Sequence, residues 1–459
     1  LLFLGLSAIS MFLALLSKEN AITFLAIIPI GLYIFNIAKP QRILQVCLPM
    51  IFASVIFLVI RHNVLGNSLS EPITELLNNP FLYASTSQKF ATIFYTLAIY
   101  IKLLFWPHPL TYDYYPYHIA LVNWNNIVAL SSLIFYVSLG IYMIWGIYKK
   151  QIIGFAIVVY LSSLSVVSNI VFPIGTFMNE RFIFISSIGF VIIVAFILVE
   201  NVPKLIKRDK VYFSSIFTLL GIVIISSAWK TIDRNKAWKN DLILFTTDVE
   251  TSGNSAKSNC SAGGKLFEAS KEIKDSIERF KILDKSVGYL RKSISIHPQY
   301  TDALLLLGNV LFEYQKYDST LYYYHQILKV APAYEKVYEN VPIVVNRLKT
   351  VDEKIKAFES FYTLNTTDFN ILYQLGSLYG KGKNDIKKAT FYLEKAYLVD
   401  SNKKEVLKDL GVAYGFSGKS QSAIHLFERA LQIDPQDTQI YFNLAVSYKS
   451  IGKEKEMSY

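Results

Sequence analysis

Residues 404–437 read KEVLKDLGVAYGFSGKSQSAIHLFERALQIDPQD, and this stretch decides how the second half of the chain folds. Counted from Lys404, Leu410 and Gly411 stand at offsets 7 and 8, Tyr414 at 11, Ala423 at 20, Phe427 at 24, Ala430 at 27 and Pro435 at 32. The scheme returns in Leu307-Gly308, Leu311, Tyr324, Ile327 and Pro332. With one insertion it returns again in Leu375-Gly376, Tyr379, Ala389, Leu393 and Ala396. Gly308, Gly376, Gly411 and Ala445 are separated by 68, 35 and 34 residues, so the unit is 34 residues long. Small residues at these offsets let two amphipathic helices approach closely, while the Leu and aromatic positions fill the seam. The Pro is predicted to start the next helix, where a missing N–H is harmless.

A helix–turn–helix unit of this length and pattern is the tetratricopeptide repeat, TPR. Residues 335–368 fill a unit-sized gap but match poorly, and 271–283 reads as an insertion in the first unit. Arrays of this kind present grooves to proteins or peptides, so a protein partner is expected there.

Outward from the repeats, the composition splits the 459-residue chain in two. It is 53% hydrophobic and only 18% charged, against about 25% charged in an ordinary soluble domain. Residues 1–230 hold 14 Lys/Arg and 7 Asp/Glu, while residues 231–459 hold 32 and 28, so the net +11 divides into +7 and +4. A basic excess in short loops between apolar runs reads as membrane topology, not as a nucleic-acid footprint. No nucleic-acid partner is expected. The composition also excludes collagen, a disordered chain and a disulfide scaffold, and Cys47 and Cys260 are too few and too far apart for a zinc site. No signal peptide is visible, and the sequence reads as a piece that begins inside an apolar helix and ends inside a repeat.

Seven runs come close to the roughly 20 apolar residues of a membrane span. They are 1–16, 21–37, 43–60, 127–148, 152–171, 182–199 and 211–229, and none holds a Lys, Arg, Asp or Glu. An eighth, 91–106, carries Lys102. The connections with Lys39/Arg42, Lys149/Lys150 and Lys204/Lys207/Arg208/Lys210 should face the cytoplasm. Three candidate spans then separate two inside loops, and parity is restored if 91–106 is re-entrant or interfacial. The 172–181 connection, the 111–125 loop and everything after Trp229 fall on the opposite side.

Several local motifs follow one another in this half. Leu15-Leu16-Ser17-Lys18-Glu19 comes first, then Asn79-Pro80-Phe81, then Leu103-Leu104-Phe105-Trp106-Pro107-His108-Pro109-Leu110 with Asp113. Asn179-Glu180-Arg181-Phe182-Ile183-Phe184 runs on through Gly189-Phe190, and Arg234, Trp238, Asp241 and Leu244-Phe245 precede the repeats. This order resembles the transmembrane-and-TPR proteins, multi-spanning O-mannosyltransferases of the GT-C superfamily, and their bacterial relatives. The resemblance implies a polyprenyl-phosphate-linked sugar as donor, no bound cofactor, an extracytoplasmic active site and transfer to Ser or Thr of proteins. In that superfamily the catalytic Asp lies in the first large extracytoplasmic loop, ahead of the helix that here begins at residue 1. No position of this sequence matches it, so no catalytic base is assigned and this stretch by itself is expected to be inactive.

Transfer of this class needs a carboxylate to deprotonate a hydroxyl and cations to hold the departing lipid phosphate. Arg181, Lys18 and Arg61 are the candidates for donor phosphate, and Glu19, Asp113, Glu180 and Tyr112 for the acceptor or sugar. Asp113 stands among Tyr112, Tyr114, Tyr115 and Tyr117, which suit a sugar groove or an aromatic interface belt equally. His108 reads as a loop or interface residue, and charges at helix ends such as Arg61 and Lys102 also snorkel to the interface. Asn365-Thr366-Thr367 and Asn259-Cys260-Ser261 match glycosylation triplets. No Gly-rich phosphate loop, HExxH, CxxC or nucleophile elbow is present in the sequence, so ATP-driven, metal-hydrolase and redox chemistry are unsupported; no metal-ligating residue is assigned, and whether the donor reaction uses a metal is left open.

The expectation is an all-α chain: a polytopic transmembrane helix bundle, GT-C-like, followed by a TPR α-solenoid. The bundle is set at 1–230 with about seven or eight segments, a linker at 231–255 and the repeats at 256–459. A membrane glycosyltransferase in the bacterial inner membrane or the ER, contacting membrane lipid and with extracytoplasmic repeats, is the first reading. A non-enzymatic membrane-anchored TPR scaffold is the alternative.

Overall fold

The computed structural model describes residues 2–66, 75–205 and 210–453. The basic pair Lys207-Arg208 and the terminal 457–459 lie outside them. Among the described residues every regular element is helical. The chain forms two compact units that divide between Lys265 and Leu266.

The first unit contains α1 (Leu2–Ser17), α2 (Phe24–Ile34), α3 (Pro40–Leu65), α4 (Thr86–Phe105), α5 (Ile127–Tyr148), α6 (Ile152–Ser165), α7 (Ile183–Phe196), the one-turn α8 (Val202–Leu205), α9 (Lys210–Ala237), α10 (Asp241–Thr251) and the start of α11 (Ala256–Ser270). Among the described residues five apolar helical stretches are long enough to cross a membrane: Pro40–Leu65, Thr86–Phe105, Ile127–Tyr148, Glu180–Asn201 and Tyr212–Ala237. Three more, Leu2–Ser17, Glu19–Ile34 and Ile152–Ser165, are apolar but shorter. The outward side chains are themselves apolar, as Phe3, Phe52, Phe184 and Phe217 illustrate, and the apolar window of α9 has no buried residue. A helix apolar all round and unburied in the protein suits lipid.

The apolar run 152–171 is helical only as far as Ser165. Beyond it Asn169 adopts a left-handed backbone (φ 62°), and its side-chain amide donates to the carbonyls of Thr176 and Phe177 while accepting from the Ile174 N–H. Asn tolerates that conformation better than other L-residues, and its amide replaces the bonds a helix would have made. Residues 231–255 are folded: α9 continues to Ala237, and α10 follows with Asn240 capping it through the Ile243 N–H.

Helix α4 is 20 unbroken residues opened by a capping box, Ser85 with Gln88. Both its ends are nevertheless tied to the same end of the bundle. Near its start Lys89 lies over the Phe81 ring, which packs edge-on to Phe177; near its end the Tyr100 hydroxyl accepts from the Asn179 N–H at 3.1 Å. The chain then returns beside it, the Val122 N–H donating to Thr92 Oγ1 at 3.0 Å. Thus α5 starts at the end where α3 finished. At the opposite end Lys150 donates to Asn36 and lies 4.7 Å over the Tyr33 ring, which joins the α2–α3 and α5–α6 turns.

The second unit is the repeat array: α12 (Ser276–Ile296), α13 (Thr301–Glu313), α14 (Tyr317–Val330), α15 (Glu335–Val345), α16 (Val351–Tyr362), α17 (Phe369–Ser377), α18 (Ile386–Val399), α19 (Lys404–Phe416), α20 (Ser420–Ile433) and α21 (Thr438–Ser450). Offsets 8 and 24 meet across the pairs that carry the glycine. A Cβ on Gly411 would stand 2.6 Å from the Phe427 ring, and one on Gly376 2.6 Å from Leu393 Cγ. The poorly matching 335–368 folds as a full helix pair, because Val337, Val341, Val345 and Phe358 fill the seam and Thr350 caps α16. The insertion at 271–283 becomes a short turn and the first turns of a long α12. Pro435 precedes α21 by three residues instead of starting it, since Asp437 takes the cap position and accepts from Gln439 and Ile440 N–H.

Candidate functional site

The 106–126 return strand, the start of α7 and the helices after α9 converge at one end of the first unit. Arg234, near the end of α9, grips Asp248 of α10 with both guanidinium nitrogens at 2.5 and 2.6 Å. Asp248 is 1% exposed and also accepts the Tyr112 N–H at 2.7 Å. One turn on, Ser252 Oγ lies 3.1 Å from Thr111 Oγ1 and 2.7 Å from Ser258 Oγ. Asp113, likewise 1% exposed, accepts from the Ser255 hydroxyl and from the Tyr115 N–H at 3.1 Å. Backbone bonds complete the braid, Tyr117 N–H to Asn254 and Ala256 N–H to Pro116. From the other side Glu180 Oε1 accepts the Thr111 N–H at 2.7 Å and the Tyr114 hydroxyl at 2.8 Å. Residues 111–117 are thereby locked on three sides.

Burial sets the titration of the loop. It raises the Asp113 carboxyl above its ordinary value, although the Ser255 hydroxyl, the Tyr115 N–H and Lys257 oppose it. It also raises the Tyr114 phenol, with Glu180 adding to the effect, and lowers His118. Tyr112 is raised by burial and by Asp113, and its ring packs 4.9 Å from Phe245. Asp113 therefore anchors the loop and does not line an open groove; nor does Tyr112, whose hydroxyl is buried.

The remaining predicted residues are dispersed. Arg61 and Glu19 pair with each other at 2.8 Å, half exposed, so a cation assigned to donor and a carboxylate assigned to acceptor neutralise one another. Lys18 is exposed beside them. Arg181 is exposed, with its guanidinium 5.4 Å from the Phe182 ring and no ion pair among the described residues. Glu180 keeps Oε2 without a hydrogen bond among the described residues. His108 Nδ1 lies 3.2 Å from Lys230 Nζ. Lys102 and His118 line an open cavity of about 550 Å³ beside α4, together with Tyr95, Tyr114 and Pro109. Of the two glycosylation triplets, Asn259 is fully buried and its amide donates to the Gly253 and Ser255 carbonyls, which removes it as an acceptor. Among the described residues no three His, Cys, Asp or Glu are grouped to hold a metal.

Sequence reading passed over Asp248. A signal was present: Leu244 and Asp248 are four apart, so they share the buried face of amphipathic α10, where a lone carboxylate needs a partner.

The tetratricopeptide repeat family matches residues 369–403 and 409–437. Protein O-mannosyl-transferase TMTC3 of Homo sapiens is 23% identical over 443 residues, covering 91% of this chain and 46% of that protein. Protein O-mannosyl-transferase TMTC1 of Mus musculus is 22% identical over 265 residues, covering 56% and 26%. Among solved structures, YrrB, a TPR protein with an unusual peptide-binding site, aligns with a TM-score of 0.32 at 15% identity, over 43% of this chain and 96% of that one. The chain is thus similar to protein O-mannosyl-transferases along most of its length, and it spans about half the length of the curated relatives it matches.

Proposed function

We propose that this chain forms part of an integral-membrane glycosyltransferase of GT-C type, which moves a sugar from a polyprenyl-phosphate donor to Ser or Thr of proteins. The observation that carries the reading is the collinear match to protein O-mannosyl-transferases along 91% of the chain, bundle and repeats together. In the reaction the acceptor hydroxyl oxygen bonds to the anomeric carbon, the bond from that carbon to the phosphate oxygen breaks, and the hydroxyl proton passes to a carboxylate. Polyprenyl phosphate leaves as an anion that needs a cation at the membrane boundary.

Arg181 suits that role. It stands between the uncharged 151–179 and the apolar α7, exposed, unpaired among the described residues, and its planar fork can hold two phosphate oxygens. Lys18 is a second exposed cation. Glu180 acts as a positioning residue: it holds the 111–114 loop through Oε1 and so fixes the turn that presents Arg181. The basic turns at Lys39/Arg42 and Lys149/Lys150 face the cytoplasm in this reading. The locked loop and the repeats then lie outside, in the bacterial periplasm or the ER lumen, where the TPR array receives the acceptor protein. The test is turnover by the full-length protein in lipid nanodiscs with a radiolabelled polyprenyl-phosphate mannose and a Ser/Thr-rich acceptor. Sugar on the acceptor supports the reading, and its absence with every lipid-phosphate sugar tried leaves a membrane-anchored scaffold.

A further inference from the structure

Several charges of the repeat array are paired between neighbouring repeats, whereas the cations around one groove are not. Along its first helices the cations are met by carboxylates of the next repeat: Lys381 with Asp409 at 2.7 Å, Lys404 with Asp434 at 2.7 Å, Lys408 with Asp437 at 3.3 Å. Between the second helices α14 and α16 lies a groove of about 1090 Å³, wholly within the second unit. Lys316, Lys329, Arg347, Lys349 and Lys356 stand around it. All five are exposed, and none makes an ion pair among the described residues. Only Asp318 and Glu353 oppose them along the groove, and Glu353 is occupied by the Lys349 and Thr350 N–H groups as the third-position partner in the capping box of α16. The floor is apolar and aromatic, from Tyr317, Leu321, Leu348 and Phe361.

We propose that this groove binds an acidic peptide segment of a protein partner, laid between α14 and α16 with its carboxylates on the cationic rim and an apolar or aromatic side chain on the floor. Unpaired cations repel one another, and an anion that neutralises them relieves the repulsion as it binds. A recessed slot with an apolar floor fits a chain that alternates charge and bulk. A lipid surface would need a flat or protruding patch. The geometry of Tyr322 adds to this, since its ring is 59% exposed at the rim, edge-on to Tyr323. The proposal concerns the repeats alone and holds whether or not the bundle transfers sugar.

The test is fluorescence anisotropy with the whole chain in phosphatidylcholine nanodiscs. The probe is a fluorescein-labelled 12-residue peptide of Glu and Asp with two Phe. We expect saturable binding that weakens with salt, and no binding of the same peptide with Gln and Asn in place of the acids. Arg347→Glu with Lys349→Glu should weaken binding at least tenfold. Lys281→Glu with Lys285→Glu makes the same change of net charge on α12, outside the groove, and should leave binding within twofold. All four positions are exposed, and circular dichroism checks that the helices persist. Arg347→Gln with Lys349→Gln gives an intermediate loss that does not depend on introducing new charge. Equal losses from the groove and α12 pairs would mean diffuse attraction and overturn the proposal. Competition by phosphatidylserine vesicles as strong as by unlabelled peptide would overturn it in favour of a lipid surface.

Discussion

Replacing Asp248 with Ala should open the loop that the sequence motifs share. The carboxylate is 1% exposed and the Arg234 side chain 16%, so the pair is buried enough to escape most solvent screening. Its loss strands a guanidinium and leaves the Tyr112 N–H unpaired. Removing one partner of a buried pair costs about 3–5 kcal/mol, and the residual exposure of Arg234 argues for the lower end, about 3 kcal/mol. At about 1.4 kcal/mol per factor of ten, local opening of 111–117 should become roughly a hundredfold more frequent. Amide hydrogen exchange read by mass spectrometry on peptides covering 108–118 measures that opening directly. If the pair behaved as a surface ion pair, worth about 0.2–1 kcal/mol, exchange would quicken by about fivefold at most. Asp248→Leu combined with Arg234→Met should restore at least half of the protection, because no charge is then left unpaired. Acceleration under fivefold, or a double variant no better protected than Asp248→Ala, would refute the claim that this pair locks the loop.

Arg181→Lys in the full-length protein should lower donor use at least tenfold, roughly the 1.4 kcal/mol of a charge-assisted hydrogen bond, with normal membrane insertion; unchanged transfer would reduce Arg181 to an anchor. Gly189→Val would drive a Cβ to 2.3 Å from the Ala156 carbonyl and 2.8 Å from the Tyr160 nitrogen, forcing α6 and α7 apart. Overpacking of that kind costs about 1–3 kcal/mol, so thermal unfolding in detergent should fall by several degrees, whereas Gly5→Val, which meets open space, should not move it. Asp113 carries a carboxyl raised above its ordinary 3.8, so the folded loop binds a proton that the open loop releases. Its contribution to stability is full below pH 3.8 and is lost as pH rises through the raised value, and Asp113→Asn should flatten that part of the exchange profile of 108–118 relative to the parent. A reporter active only in the cytoplasm, fused after Asp241, should stay silent; a signal would reverse the assigned sides.

What could be read from the sequence was whatever repeats or averages. The repeats were legible because Gly411 and Phe427 must meet across one helix pair, and the contact recurs every 34 residues. The bundle was legible because lipid-facing helices are apolar all round. Pairing between distant residues leaves no period. Arg61 and Glu19 are 42 apart and Thr111 and Glu180 are 69 apart, and nothing local announces that each neutralises or holds the other. The end of α6 was misjudged for a related reason. Hydropathy carries the run to Val171, while the chain leaves the helix after Ser165 and one side-chain amide, Asn169, holds the following loop through three backbone groups.

The locked loop also gives a physical reason for the order of the motifs. Pro107 through Asp113, Asn179-Glu180-Arg181 and Arg234 through Phe245 are separated by whole helices, yet they interlock at one end of the unit. Glu180 holds the Thr111 N–H and Asp248 the N–H of its neighbour Tyr112. A change in any one strand of the braid exposes a buried charge in another, so the three stretches are constrained together and not singly. That constraint leaves Arg181 without an ion pair among the described residues while its neighbour Glu180 is held. The cation proposed to hold the donor phosphate is thus displayed from a rigid base, which is what a grip on a mobile lipid phosphate would require.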